Sequence, residues 1–441
     1  MIFNNANENR RNFLKKLVGC FAVTTTLPWI SNHPKSTEAT SNFYNAVKHY
    51  KCPKNAYHEK FWCFVKQQFP LVENLIYMNS GGLSPSPYPV IETINAQMLK
   101  WESISETGHK LVDDVRKKAA KFFNCGEDEV AFTRNATEGM NIIVRGIPLK
   151  KGDEVLMTTH EHPGGAMPWL GLAKDIGIQI KLFEPGITKA DNLNFIESNI
   201  TPRTKVLMIS HIPCTTGLIF PAKEIADLCH QKGIYVVLDG AQVPGMIPVD
   251  FKQLGCDFYT SSGHKWLCGP KGTGILYIRR EMLDVWHPNH IGAYSDRVYN
   301  LEEQILEYQR AAKIVEYATR NTPIIMGLGA SLDFFNAIGM DHVAARGRAL
   351  AAYLKEQLLN IDKVKLLTAK EPELSGAIVT FKILNDRASY TDYVIQIKKQ
   401  YNIRLRPIGE HSLNAIRASL HIYNTFEQVD QLVDAVKKVT D

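Results

Sequence analysis

From about residue 75 the chain repeats one rhythm, a short apolar run, a turn and then a segment of helical period. Short strands alternating with helices build a mostly parallel sheet covered on both faces, because parallel neighbours need a crossover between them. The strands expected on this pattern are Glu129–Thr133, Glu154–Thr158, Lys205–Ser210, Tyr235–Asp239, Phe258–Ser261 and Gly274–Ile278. Between two of them, Pro221–Lys232 carries Ile225, Ala226, Leu228 and Cys229 on one side, with Pro221 suited to a first turn and Gly233 to a C-cap. Near residue 320 the pattern changes. Long helical stretches at Gly339–Asn360 and Phe426–Val439 flank strand-like Ala377–Ile383 and Ala415–Ser419. The expected organisation is a large α/β domain over 76–320 and a smaller α+β domain over 321–441, with 40–75 packed on the latter.

The first 39 residues read differently. Arg10-Arg11 precedes Phe13, Leu14 and Lys15, and a modest apolar run extends from Leu17 to Ile30. A basic stretch ahead of a short apolar one is the layout of an export signal, and the run is too short to span a bilayer. The paired arginines resemble the bacterial twin-arginine signal. That resemblance implies engagement of the twin-arginine export machinery, a periplasmic location and no stable membrane association.

Charge and cysteine usage narrow the function classes. Lys plus Arg total 51 against 45 for Asp plus Glu, a balance of +6 with no concentrated basic stripe, so no nucleic-acid partner is expected. The 8 cysteines include no CxxC pair, and His160-x-His162 lacks an evident third ligand, so no metal is expected.

Chemistry concentrates in two segments, Tyr235–Gln242 and Ser261–Pro270. An Asp at the tip of a buried strand needs a cation, and Asp239 holds that position. Lys265 stands in a Gly- and Ser-rich turn after the next strand. Together they suit pyridoxal phosphate, with Lys265 as the covalent attachment and Asp239 keeping the pyridine nitrogen protonated.

Further segments extend the pattern: Tyr77–Gly82, Thr133–Gly139, Glu161-His162, Tyr317–Thr322 and Ile416–Ser419 with Tyr423–Thr425. In this order they resemble the class V aminotransferase family of fold type I pyridoxal-phosphate enzymes. The resemblance implies that Ala136 and Thr137 hold phosphate at a helix N-terminus and that His162 stacks on the cofactor ring. It implies that Asp239 and Gln242 meet the ring nitrogen and hydroxyl, and that Ser262, His264 and Lys265 supply phosphate contacts and the covalent lysine. Thr319 is expected to reach the phosphate across a homodimer interface, and Arg417 to bind the substrate carboxylate.

Cysteine desulfurases of this fold carry a nucleophilic cysteine in the loop before the Arg motif. Residues 404–414 contain none, which argues against that chemistry. The Thr319–Asn321 and Arg406–Gly409 segments look closest to the isopenicillin-N-epimerase-like branch. The expected activity is therefore an exported aminotransferase or epimerase acting at the amino-bearing carbon of an amino acid or small peptide. The alternatives are a siderophore- or peptide-tailoring enzyme, an amino-acid lyase, or a non-catalytic cofactor-binding protein.

Overall fold

The computed structural model describes residues 43–47, 55–384 and 388–440. The export segment expected over 1–39 lies outside the described residues. The principal sheet has seven strands: β1 (Val130–Thr133), β2 (Glu154–Thr158), β3 (Gln179–Phe183), β4 (Thr204–Ser210), β5 (Tyr235–Asp239), β6 (Phe258–Ser262) and β7 (Gly274–Ile278). Their spatial order is β1-β7-β6-β5-β4-β2-β3. Pairs β2–β3, β2–β4, β4–β5 and β5–β6 are parallel, whereas β7 runs antiparallel to both β1 and β6.

Alternate residues of these strands feed two cores. Val236 and Leu238 join one with Phe132, Leu207 and Tyr259, while Val237 joins the other with Val155, Met208 and Leu276. A side chain fully buried on either face contributes about 1.5–3 kcal/mol, so a one-residue slip would be costly on both sides. Strand β3 escaped the sequence reading because it is an edge strand: Gln179, Ile180, Lys181 and Leu182 remain at least partly exposed and only Phe183 is buried.

Helices follow from local caps. After β1, Asn135 accepts the Glu138 amide and starts α1 (Ala136–Gly146). After β2, His162 caps α2 (Pro163–Ile176), its Nδ1 accepting the Gly164 N–H at 3.0 Å, with Pro163 at the first position. Helix α3 (Ala222–His230) is slightly shorter than its apolar pattern. The chain then continues through α4 (Thr322–Ile338) and α5 (Met340–Leu359) and ends in α6 (Phe426–Thr440).

The second sheet is antiparallel, with β8 (Val364–Leu366), β9 (Ile378–Ile383), β10 (Arg406–Ile408) and β11 (Ala415–Ser419) in the order β8-β9-β11-β10. Leu350 and Leu354 of α5 and Leu432 and Val436 of α6 pack on Val379, Phe381 and Ile416 of this sheet. Segment 76–80 ties the entering chain to it. Ile76–Tyr77 pairs with Ile403–Arg404, and the Ser419 N–H donates to the Met78 carbonyl at 2.8 Å. Ahead of that segment, Phe43 stacks on Phe334 of α4 at 4.6 Å, and Arg346 of α5 lies 5.6 Å from the Trp62 ring.

Among the described residues no single helix is long and apolar enough to cross a membrane; α4 and α5 pass that test only as a pair, bent by 78°.

Candidate active site

Parallel strands expose their carboxyl ends along one sheet edge, and ligand-binding loops collect there. Asp239 is the last residue of β5 and lies in register with Ser210, the last residue of β4. Ser262 ends β6, with His264 and Lys265 in the turn that follows. Nine of the ten residues expected from the sequence line one cavity of about 330 Å³: Ala136, Thr137, His162, Asp239, Gln242, Ser262, His264, Lys265 and Arg417. Thr319 does not. It is exposed on this protomer, between Ala318 and Arg320, which line a different cavity.

One end of the cavity suits an anion. Helix α1 points its first turn there, and helix N-termini favour negative charge. The Ala136 N–H donates to Ser262 Oγ at 3.1 Å. Nδ1 of His264 is buried with no partner among the described residues. Burial, helped by Lys265 and Lys271, holds that imidazole down to about 4, so it is neutral near pH 7 and offers one N–H. Gly164 permits close approach, since a Cβ there would meet Thr137 Oγ1 at 2.4 Å.

The floor suits a cation beside a flat ring. Asp239 is 5% exposed, its Oδ1 accepts the Ala241 N–H at 2.9 Å, and no described cation bonds to it. Gly165 lets α2 begin against that carboxylate: a Cβ there would lie 2.8 Å from Met208 Cε and 3.0 Å from Asp239 Oδ2. Behind it, Glu161 accepts from Thr158 Oγ1 at 2.6 Å and Ser210 Oγ at 2.7 Å. Burial raises the Glu161 carboxyl to about 7 against those hydrogen bonds, and Asp239 adds to the rise. Gln242 is already engaged, donating to the Gly81 carbonyl at 2.9 Å and accepting from Trp266 Nε1 at 2.8 Å. Lys265 is half-buried, and burial lowers its ammonium against the opposing pull of Cys214 and Asp239. A larger neutral fraction makes a better nucleophile.

The opposite wall is Arg417 of β11, 1% exposed. Its Nη1 donates to the Cys214 carbonyl and its Nη2 to Asn79 Oδ1, each at 2.9 Å. Among the described residues Nε has no partner, and no carboxylate lies within ion-pair distance of the guanidinium. Burial lowers it to about 10. A buried cation with neutral partners is costly until an anion arrives.

Cys214 and Arg406 also line the cavity, and neither had an assigned role. Arg406 of β10 places Nη1 3.8 Å from Cys214 Sγ and pairs through Nη2 with Glu410. Only the alternation of Arg404-x-Arg406 on a short strand hints that one arginine faces inward. His160 and His162 do not converge. His160 sits between Thr215 Oγ1 and Glu184 at 3.1 Å each, and the described residues contain no cluster of three or more potential metal ligands. His211 is a packed strand-end residue, with Nδ1 3.3 Å from the Tyr259 hydroxyl.

The family described as aminotransferase class-V matches residues 76–432. The chain belongs to the class-V aminotransferase family. A probable cysteine desulfurase of Pyrococcus abyssi is 28% identical over 391 residues, covering 85% of this chain and 96% of that protein. The structure of a cysteine desulfurase from Thermococcus onnurineus NA1 superposes with a TM-score of 0.78 at 25% identity, over 85% of this chain and 97% of that one. The cystine C–S lyase C-DES, solved with its product cysteine persulfide, also gives 0.78, at 27% identity over 85% and 99% of the two chains. The fold is that of the fold type I enzymes, and the cofactor is pyridoxal phosphate. The unpaired Asp239, the free His264 Nδ1 and the glycine approaches fit that group.

These relatives overturn the expectation of an aminotransferase or epimerase, and with it the argument against cysteine desulfurase chemistry. The reason is physical. A lysine, a strand-end aspartate and an arginine in one cavity would serve any pyridoxal-phosphate reaction that starts at the substrate Cα, so these residue types do not report what leaves next. A missing loop cysteine removes one place for a sulfur acceptor and leaves open both an acceptor elsewhere in the cavity and release of sulfur without one.

Proposed function

We propose that the protein is a pyridoxal-phosphate-dependent carbon–sulfur lyase of the cysteine-desulfurase type, acting on a sulfur-bearing α-amino acid. The observation that carries it is the buried, anion-free Arg417 guanidinium lining the same cavity as Lys265, in a chain whose relatives are named as desulfurases and a C–S lyase. When bound, the cofactor supplies an electron sink for the charge left at Cα. Arg417 takes the substrate carboxylate through its planar fork and so orients the Cα–H bond. Lys265 would hold the cofactor, and its Nζ would take the Cα proton. Asp239 would keep positive charge at the ring nitrogen of the cofactor, and His162 would cover the ring face.

The same reading places a second copy of the chain over the Thr319 face, so that Thr319 completes the phosphate contacts of the partner. Export through the twin-arginine pathway is a separate proposal supported by Arg10-Arg11 alone. The lyase reading is tested by incubating cofactor-loaded protein with L-cysteine and with L-cystine and measuring sulfide, alanine and pyruvate. Release of sulfur from either amino acid is expected; transamination without sulfur release would overturn it.

A further inference from the structure

A desulfurase must pass sulfur to something, and residues 404–414 contain no cysteine. Six cysteines are described, and of these Cys214 alone lines the cavity that holds Lys265. It follows β4 in a turn closed by the Gly217 N–H donating to the Pro213 carbonyl at 3.0 Å. The second sheet clamps that turn. Thr380 Oγ1 donates to the Thr215 carbonyl at 2.7 Å and Thr368 Oγ1 to the Thr216 carbonyl at 2.6 Å. The sulfur is therefore held in place, with Arg406 Nη1 3.8 Å away. Cys214 is 5% exposed and faces the cavity, and nucleophilic cysteines are found beside such cations.

An independent observation locates the ligand. Arg417 is 1% exposed with Nε unpartnered, and its Nη1 is bonded to the carbonyl of Cys214 itself. An amino acid anchored there by its carboxylate is seated beside this thiol.

We propose that Cys214 is the acceptor of the substrate's sulfur; the inference rests on the lyase reading above. The Cys214 thiol gives up its proton and Sγ attacks the sulfur of bound L-cysteine. A sulfur–sulfur bond forms and the substrate Cβ–S bond breaks. The electron pair of that bond stays with Cβ, which takes a proton, so cysteine leaves as alanine and Cys214 carries a persulfide. An added thiol is the reductant that resets the enzyme, two thiols yielding one disulfide and sulfide.

The test is a single turnover of the cofactor-loaded enzyme with one equivalent of L-cysteine, without air or added thiol, followed by alkylation and peptide mapping. The expected result is a persulfide on the peptide bearing Cys214 and one alanine per site. Cys214→Ser and Cys214→Ala are expected to lose alanine formation by about a hundredfold or more. Borohydride should still trap cofactor on Lys265 in both, and the absorbance of bound cofactor should still respond to L-cysteine. A persulfide on another cysteine, or wild-type alanine formation by the variants, overturns the inference. Pyruvate in place of alanine overturns it too while leaving the lyase reading standing. If the wild-type enzyme releases no sulfur from L-cysteine or L-cystine, both fall.

Discussion

Arg417, on the central strand pair of the small sheet, donates from Nη1 to the main-chain carbonyl of Cys214, just past a strand of the large sheet, at 2.9 Å. That bond joins the two sheets at the cavity and fixes the buried Arg417 guanidinium relative to the turn beside Lys265.

Replacing Arg417 by Lys keeps the charge and loses the fork. The variant is expected to fold and bind cofactor while kcat/KM for L-cysteine falls by about 2–4 kcal/mol. Steady-state kinetics together with thermal melting check this; a folded, loaded variant with unchanged kcat/KM removes Arg417 from the substrate site.

Borohydride reduction of the loaded protein, followed by peptide mapping, should place the pyridoxyl adduct on Lys265. Lys265→Ala should show no adduct. Lys271 is the nearby control: its Nζ donates to the Ser84 carbonyl at 3.0 Å, away from the cavity, so an adduct there would refute the assignment.

Gly165→Ala tests the close approach of α2 to Asp239. A methyl 3.0 Å from Asp239 Oδ2 and 2.8 Å from Met208 Cε forces a shift, expected to cost about 1–3 kcal/mol in stability. Cofactor affinity, read by equilibrium dialysis, should weaken along with the melting temperature. Gly152→Ala is a contrast on backbone strain alone, since its φ is +88° and no atom lies within 4 Å of a Cβ there.

Glu161 predicts a pH dependence. Its carboxyl rises from the ordinary 4.5 to about 7 through burial, so the folded state holds this proton more tightly than the unfolded chain. The stabilisation is full below pH 4.5. It declines as pH rises towards 7, because the unfolded chain ionises first, and then levels off. The size is a few kcal/mol, at roughly 1.4 kcal/mol per unit. Urea unfolding across that window should show a wild-type slope that Glu161→Gln flattens; parallel profiles would contradict it.

Thr319 stands outside its own protomer's cavity. Sedimentation of the loaded enzyme should therefore show two chains per particle, and Thr319→Ala should weaken phosphate-end binding without changing the monomer fold. A monomer with full cofactor and activity would exclude the shared site.

Much of the fold was legible because its signals are local. Apolar runs such as Val236–Leu238 and Ile275–Ile278 are buried on both faces and read as strands, and the apolar side of Pro221–Lys232 becomes the helix Ala222–His230. The edge strand Gln179–Phe183, half solvated, carries no such signal. The hairpin of Asp296–Asn300 and Ile305–Tyr308 was likewise silent, its residues being mostly exposed on both strands.

The sequence by itself determined the βα order, the cofactor and nine of the residues that line one cavity, because a lysine, a strand-end aspartate and a helix-capping turn sit in fixed local settings. Tertiary structure decided the rest. Cys214 and Arg406 meet at 3.8 Å although 192 positions separate them, and Arg417 becomes a buried cation, with no counter-ion among the described residues, only when the small sheet closes over the large one. Neither fact has a local signature, since each depends on which groups are absent from a neighbourhood that the chain assembles only by folding.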